Sequence, residues 1–243
     1  MSHALFIGLF VYLSFIFDDK IDSTASLTVF TSLCICEYYC FLGTMCSLQV
    51  SSDINRKFKE LELLLVSQVK NLSQELNGYS EEMIVRHIMK IGKLYRMISS
   101  IVESQNDIFG GVIMLMIWHS LVQILRCVNF LLLNWEQTQC LNVYVCLLTA
   151  FSMVETVLII LCCDKTSSSG AKIEKTCYKL QDRFGLDSRP RKEFLLLANV
   201  IRSHKPVFTA ANYFVINRGT ILEIIHIVST YVIVIIKCNE TFE

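Results

Sequence analysis

Apolar and polar stretches alternate along this chain on the scale of whole helices. Long, predominantly apolar stretches cover residues 27–48, 111–133 and 141–163. A helix of about 20 apolar residues crosses the roughly 30 Å of hydrocarbon in a bilayer. Each of these three stretches therefore predicts one transmembrane helix.

Two further apolar stretches are less regular. Residues 220–236 follow a half-apolar lead-in, so we predict one final, broken transmembrane helix over 207–236. Residues 4–17 are short for a span, and they fit either a signal-peptide core or the end of a longer transmembrane helix. Because Ser2 and His3 supply no basic charge before this stretch, we favour a partial transmembrane stub.

The polar segments 49–107 and 164–206 carry apolar residues at three- and four-residue steps, as on one face of a helix. The first segment has one such stripe before and one after a break at Asn77-Gly78, and the second is broken at 188–190. We expect the stripes to pack against each other as helical extensions of the spans, with binding to the membrane surface as the alternative. The stripes are Phe58, Leu61, Leu65, Val69, Leu72 and Leu76; Ile84, Ile88, Ile91, Tyr95, Ile98 and Val102; Ile173, Cys177, Leu180 and Phe184; and Phe194, Leu197 and Ile201.

The predicted fold class is all-α, a polytopic transmembrane helical bundle with cytoplasmic helical extensions. Hydrophobic residues make up 53% of the chain, and the mean hydropathy of +0.49 agrees with a membrane protein. The segments 49–107 and 164–206 hold 18 of the 22 Lys and Arg residues. Since Lys and Arg resist translocation, both segments are expected in the cytoplasm and the C-terminus outside the cell, with the plasma membrane as the location.

Two glycosylation sequons give this orientation a test. Asn71-Leu72-Ser73 lies in a predicted cytoplasmic segment, whereas Asn239-Glu240-Thr241 follows the last span. Glycan is added on the luminal side, so Asn239 is the predicted acceptor and Asn71 is not.

The sequence contains few signals for catalysis, cofactor or metal binding, or nucleic-acid binding. Charge is balanced, with 22 basic and 22 acidic residues, so we expect no nucleic-acid partner. No catalytic or nucleotide-binding motif occurs, and most of the eleven cysteines lie inside predicted spans, where cysteine behaves as a small apolar residue. We therefore expect no enzyme activity, no cofactor and no metal site.

Polar residues inside the spans are the remaining candidates, because they are costly in hydrocarbon. His119, Gln123 and Arg126 are spaced at i, i+4 and i+7, on one helix face. That face can line a ligand pocket. The alternative is an internal polar seam, satisfied by Glu37 or Glu155 across the bundle.

The last span resembles that of the insect gustatory receptors, which belong to a seven-helix chemoreceptor superfamily. Their final helix has Thr-Tyr, five apolar residues and Gln-Phe, and here Thr230 and Tyr231 precede five apolar residues, Lys237 and Cys238. The segment 206–218, with Pro206, and the segment Asn106-Asp107-Ile108-Phe109-Gly110 also resemble the family.

The resemblance implies a ligand-gated, nonselective cation channel that responds to a small-molecule tastant. It implies a homo- or hetero-tetramer with related receptors, held in membrane lipid and joined by a cytoplasmic anchor domain. The final helix would line the pore through Thr230, Tyr231, Val234 and Lys237, with Val234 as a hydrophobic constriction. Lys237 replaces the family's Gln, which predicts weaker cation conduction unless Lys237 extends to the lipid headgroups.

The family has seven helices, and this sequence supplies the last four and a stub. We therefore expect part of a longer receptor, as in a partial gene model or a fragment, a decayed receptor, or a short functional isoform. A transporter and a non-conducting membrane scaffold stay open as alternative functions.

Overall fold

The computed structural model describes residues 24–74, 81–134 and 139–242. The predicted stub over 4–17 and the predicted break at Asn77-Gly78 lie outside these residues. The chain divides into two compact units between Gly43 and Thr44, and the packing given below belongs to the second unit.

The described residues form five helices and one small hairpin. The helices are α1 (Thr24–Gln74), α2 (Glu81–Asn134), α3 (Gln139–Gln181), α4 (Arg189–Ser203) and α5 (Arg218–Phe242). Strands β1 (Thr209–Ala210) and β2 (Phe214–Val215) pair antiparallel between α4 and α5. The all-α fold class is confirmed, with two-residue strands as its one addition in the described part.

Helices α2, α3 and α5 are long and apolar enough to cross a membrane. Helix α2 has 54 residues, which at 1.5 Å per residue gives a length of about 80 Å. That is far more than a span requires, so one continuous helix contains both the predicted span 111–133 and the amphipathic stripe before it. Both prolines of the chain, Pro190 and Pro206, lie at the two ends of α4 and interrupt none of the long helices.

The amphipathic stripes pack together in a helical base, which we define as residues 53–69 of α1, 81–107 of α2, 164–181 of α3 and all of α4. Phe58 and Tyr95 are fully buried there, with ring centroids 5.6 Å apart. Ile173 and Phe194 are also fully buried in the same core. The expectation that the stripes form helical extensions packed on each other is therefore confirmed for the described residues.

Burial also fixes the protonation of two groups in the helical base. It raises the pKa of the Tyr95 hydroxyl to about 12 and the pKa of the Cys177 thiol to about 12. The carboxylate of Glu174 adds a smaller effect in the same direction. Both groups are therefore neutral at physiological pH and serve the core as packing residues.

The break in the second segment lies earlier than the sequence suggests. Helix α3 ends at Gln181, and a turn over 182–188 leads to α4, whereas the pattern placed Phe184 on a continuing helix. Phe184 nevertheless stacks on Phe194, with centroids 5.7 Å apart. Although Phe184 lies beyond the end of the helix, its side chain packs against the same core, as the apolar spacing predicts. Ser188 then precedes α4, and Pro190 occupies its first turn, where a missing N–H costs no hydrogen bond.

The lead-in to the last helix is a hairpin and not part of a broken helix over 207–236. Thr209 pairs with Val215, and Ala210 pairs with Phe214. Ala211 and Asn212 have φ values of 48° and 61°, in the left-handed region that closes tight turns. Helix α5 begins only at Arg218.

Candidate functional site

The connector, residues 204–217, joins α4 to α5 and fits tightly against α3. Ser167 donates a hydrogen bond from Oγ to the carbonyl oxygen of Pro206 at 2.6 Å. At Gly170 an added Cβ would overlap Pro206 Cγ and come within 3.0 Å of its Cδ. The absence of a side chain at Gly170 is therefore what lets the connector approach α3.

Helix α2 holds the connector from the other side through Asn106 and Gly110. The Asn106 Nδ2 donates to the carbonyl oxygen of Val207 at 2.7 Å, and its Oδ1 accepts from the Thr209 N–H at 3.1 Å. A Cβ on Gly110 would lie 2.9 Å from the Ala211 nitrogen. The structure thus joins the two segments, 106–110 and 206–218, that separately resemble the gustatory receptors.

Ion pairs tie both ends of the connector to α3. Arg218 Nε lies 2.8 Å from Asp164 Oδ2, and Lys205 Nζ lies 3.5 Å from Glu174 Oε2. Both basic side chains are largely exposed, so each pair contributes at most about 1 kcal/mol. The close steric fit and the hydrogen bonds consequently hold the connector more firmly than these charges do.

Helix α5 contrasts with the rest of the molecule because so little of it is covered. Only 6% of its most apolar stretch is buried, against 39% of the corresponding stretches of α2 and α3. It rests on α2 and α3 through one side, to which Thr220, Ile224 and Val228 belong. The other sides of α5 are open to lipid, water or another subunit.

One exposed side of α5 carries three of its four predicted pore residues. Glu223, Ile227, Thr230, Val234 and Lys237 follow each other at alternating four- and three-residue steps, and all five are exposed. We call these five residues the exposed stripe. At about 100° per residue the stripe lies roughly 100° around the helix from the packed side. Thr230, Val234 and Lys237 therefore share one face.

Tyr231 lies apart from that face. It is half-buried and falls on the packed side, in line with Ile224 and Val228. Adjacent residues of a helix are about 100° apart, so Thr230 and Tyr231 do not point in one direction. A pore role for Tyr231 stays a prediction. Asn239 lies within the last turns of α5, and its side chain is outside the described part.

The three ligand-pocket candidates lie in the C-terminal half of α2. Gln123 is buried, and its Nε2 lies 3.2 Å from Nε2 of the half-buried His119. Arg126 is exposed. The structure therefore brings His119 and Gln123 together and leaves Arg126 at the surface of the chain.

A polar seam does run beside these candidates, built mainly from hydroxyl groups. Ser120 Oγ lies 2.8 Å from Ser152 Oγ and also hydrogen-bonds Thr156 Oγ1, while Thr149 Oγ1 donates to the Gln123 carbonyl oxygen at 3.4 Å. Glu155 is buried on α3, and the side chain of Glu37 lies outside the described part. Small hydroxyl residues of this kind join helices closely within membranes.

The sequence did not predict which residues contact the connector. These residues are Asn106, Ser167 and Gly170. Nothing in the local pattern signals them, because each acts on a segment 36 or more positions away. Glu223 is a further polar residue within the last apolar stretch, and the seven-residue spacing from Glu223 to Thr230 and from Thr230 to Lys237 carries the signal of a shared face. Among the described residues no group of three or more His, Cys, Asp or Glu side chains is arranged to hold a metal ion.

Comparison with known proteins gives the family. No match to this chain is found among curated proteins. The sequence model of the 7tm chemosensory receptor family matches residues 1–240, nearly the whole chain, in agreement with the likeness to insect gustatory receptors. Together with three helices able to cross a membrane, this match shows that the chain belongs to the 7tm chemosensory receptor family.

Proposed function

We propose that this chemosensory receptor is a gustatory receptor: a subunit of a ligand-gated cation channel that detects a small-molecule tastant at the plasma membrane. The single observation that carries the channel proposal is the exposed stripe of α5. A polar or charged side chain is costly in hydrocarbon and normally faces a water-filled path or another polar group. Glu223, Thr230 and Lys237 all lie on the stripe, so this side of α5 is suited to line water.

The rest of the exposed surface of α5 supports the proposal that the exposed stripe faces water. Leu222, Ile225, Ile233 and Ile236 are exposed on the side away from the stripe. Such a surface is compatible with lipid or with the apolar face of a neighbouring helix. The helix thus has a packed side, an apolar side and the stripe, which is what a pore helix in a ring of subunits requires.

A second exposed surface supports assembly with copies of this chain or with related receptors, in the tetramer that the family likeness implies. Leu94, Met97, Ile101 and Ile108 are exposed on α2 at three-, four- and seven-residue steps, the spacing of helix-to-helix contacts. Leu94, Met97 and Ile101 lie in the segment 49–107, and Ile108 follows it directly. This segment holds eight of the 22 Lys and Arg residues, and we propose that it is cytoplasmic and therefore away from lipid. Contact with another subunit would remove these apolar side chains from water.

The connector supplies a physical route from ligand to pore. Helix α2 carries the ligand-pocket candidates His119, Gln123 and Arg126, and it also carries Asn106 and Gly110, which hold the connector. Asn106 and His119 are 13 residues apart on one rigid helix, about 20 Å along its axis. A ligand that shifts α2 would displace the connector and, through it, the start of α5.

The test is ligand-evoked current in oocytes, with fructose, sucrose, caffeine and quinine as probes. We expect a nonselective cation current from at least one probe. Val234→Trp should suppress it by filling the proposed constriction. The matched control is Ile233→Trp, one residue away on the apolar side, which should leave the current in place. No current at confirmed surface expression, with oligomers retained, would refute the channel and favour the non-conducting scaffold.

The stripe can also be tested without any current. A cysteine at position 230 should react with a charged thiol reagent, because it faces water, whereas a cysteine at position 233 should not. Equal reaction of Thr230→Cys and Ile233→Cys would contradict the proposed pore side. The orientation is tested separately, since a glycan at Asn239 and none at Asn71 is expected, and Asn239→Gln should abolish it.

A further inference from the structure

The two ends of the exposed stripe carry opposite charges. Glu223 lies in the second turn of α5, and Lys237 follows 14 residues later, about 21 Å along the helix axis. Both side chains are exposed. The stripe residues between them, Ile227, Thr230 and Val234, are uncharged, so the face changes from negative at one end to positive at the other.

The charges closest in sequence to Glu223 do not share its position. Arg218 lies roughly 140° around the helix from Glu223 and pairs with Asp164 at 2.8 Å. His226 is exposed beside the stripe, one turn after Glu223. The acidic end of the stripe is therefore set by Glu223, and the basic end by Lys237.

We infer that Glu223 and Lys237 line opposite ends of one conduction path and make it rectify, passing outward current more readily than inward current. This inference rests on the proposed function, with α5 helices of several subunits around one axis and the start of α5 at the cytoplasm. Glu223 would then ring the inner mouth and Lys237 the outer mouth. Rings of charged side chains of this kind set the ions that a pore admits.

The direction of rectification follows from which ion each mouth concentrates. Four charges at about 8 Å in water, screened over a Debye length of about 8 Å, change the local concentration of a monovalent ion about 4-fold. Cations are thus enriched at the inner mouth and depleted at the outer mouth, while anions show the reverse. Outward current draws cations from the inner mouth, where they are enriched, whereas inward current must draw them from the outer mouth, where they are depleted.

The experiment measures current at equal positive and negative voltages in symmetrical sodium chloride. A Val234→Ala background provides current without a tastant, because it widens the proposed constriction. We expect outward current to exceed inward current about 4-fold. Glu223→Gln and Lys237→Gln should each lower that ratio, and the double variant should bring it close to one.

Matched variants separate charge from shape. Glu223→Asp and Lys237→Arg keep the charges and should keep the rectification. Glu103→Gln and Lys93→Gln remove exposed charges from α2 and should leave the ratio unchanged. Equal currents in both directions through an open Val234→Ala channel, or larger inward current, would overturn this inference and leave the channel standing. No current from Val234→Ala or the unmodified chain at the cell surface would overturn the channel and the inference with it.

Discussion

The helical base and α5 are built from similar apolar residues, yet they differ sharply in how they are packed. Ile201 of α4 is fully buried, whereas Ile225 of α5 is 52% exposed. In the base, amphipathic helices bury one stripe each and present charges elsewhere, so the hydrophobic effect selects the buried side. Helix α5 is apolar on most of its surface, and lipid is as apolar as its own side chains.

This difference shows that the two regions are stabilised by different contacts. The helical base is held by its own filled interior, in which Phe58, Tyr95 and Phe194 are fully buried. Helix α5 depends on the few contacts of its packed side, on the connector and on whatever covers its exposed sides. A structural element with so few contacts can move at a low cost in free energy, which suits the pore-lining role that we propose for α5.

The largest expected effect is on the free energy of unfolding, when an isoleucine is replaced in each of the two regions. Ile201→Ala should lower the free energy of unfolding by about 2–5 kcal/mol, because it opens a cavity in a filled core. Ile225→Ala should cost about 0.5 kcal/mol or less, as surface substitutions do. Thermal unfolding of both variants in lipid nanodiscs gives the comparison. Equal losses would show that α5 is packed as tightly as the base in the assembled protein.

A smaller effect is expected where the connector meets the base. Gly170→Ala should destabilise by about 1–3 kcal/mol, because the new methyl group overlaps Pro206. Gly111→Ala is its control, since a Cβ at that helical position meets nothing within 4 Å, and it should stabilise by up to about 1 kcal/mol through helix propensity. Melting temperatures that move in the same direction would argue against the close approach at Gly170.

Removing the hydrogen bonds of Asn106 should have a still smaller effect. Asn106→Ala leaves the Val207 carbonyl and the Thr209 N–H without their partner, at a cost of about 1 kcal/mol at this partly exposed site. Asn106→Asp keeps an acceptor for the Thr209 N–H but turns a carboxylate oxygen toward the Val207 carbonyl oxygen, so it should lose at least as much. Asp107→Asn, on the exposed side, should lose nothing measurable. Hydrogen exchange should rise in residues 204–217 for Asn106→Ala. Unchanged hydrogen exchange in residues 204–217 would show that Asn106 does not hold the connector.

The smallest expected effect is an absence of reaction at Cys177. Its pKa of about 12 leaves about 0.1% thiolate at pH 9, and the side chain is fully buried. A maleimide should therefore label Ser203→Cys, exposed on α4, but not Cys177 across pH 7 to 9. Because folding raises this pKa from 9.0 to about 12, the contribution of Cys177 to stability is complete below pH 9 and falls between pH 9 and 12. Labelling of native Cys177 at pH 7 would show that the base opens.

Much of the base was predictable because its residues carry a local signal. The spacing of Ile84, Ile88, Ile91 and Tyr95 identifies the inner side of α2 without knowledge of its partner, and all but the half-buried Ile84 are buried. The turn over 182–188 was harder, because Phe184 keeps the helical spacing while its backbone has left the helix. Spacing identifies which side chains are buried more reliably than where a helix ends.

The hairpin and the contacts of the connector were not predictable in the same way. Its left-handed residues are Ala211 and Asn212, and an alanine gives no turn signal at such a position. The partners Asn106 and Gly110 are about 100 residues away in sequence. A single sequence does not indicate which of such distant positions are in contact.

The sequence by itself determined the family, the all-α class, the apolar stretches and the buried side of each amphipathic helix, because periodicity and length are local properties that burial and bilayer thickness impose directly. Only the tertiary structure decided how α2 and α3 hold the connector, that Tyr231 lies on the packed side of α5, and that the face shared by Glu223, Thr230 and Lys237 is the open one. An almost uniformly apolar helix does not reveal its packed side by hydrophobicity. That side is set by the shape and position of its neighbours.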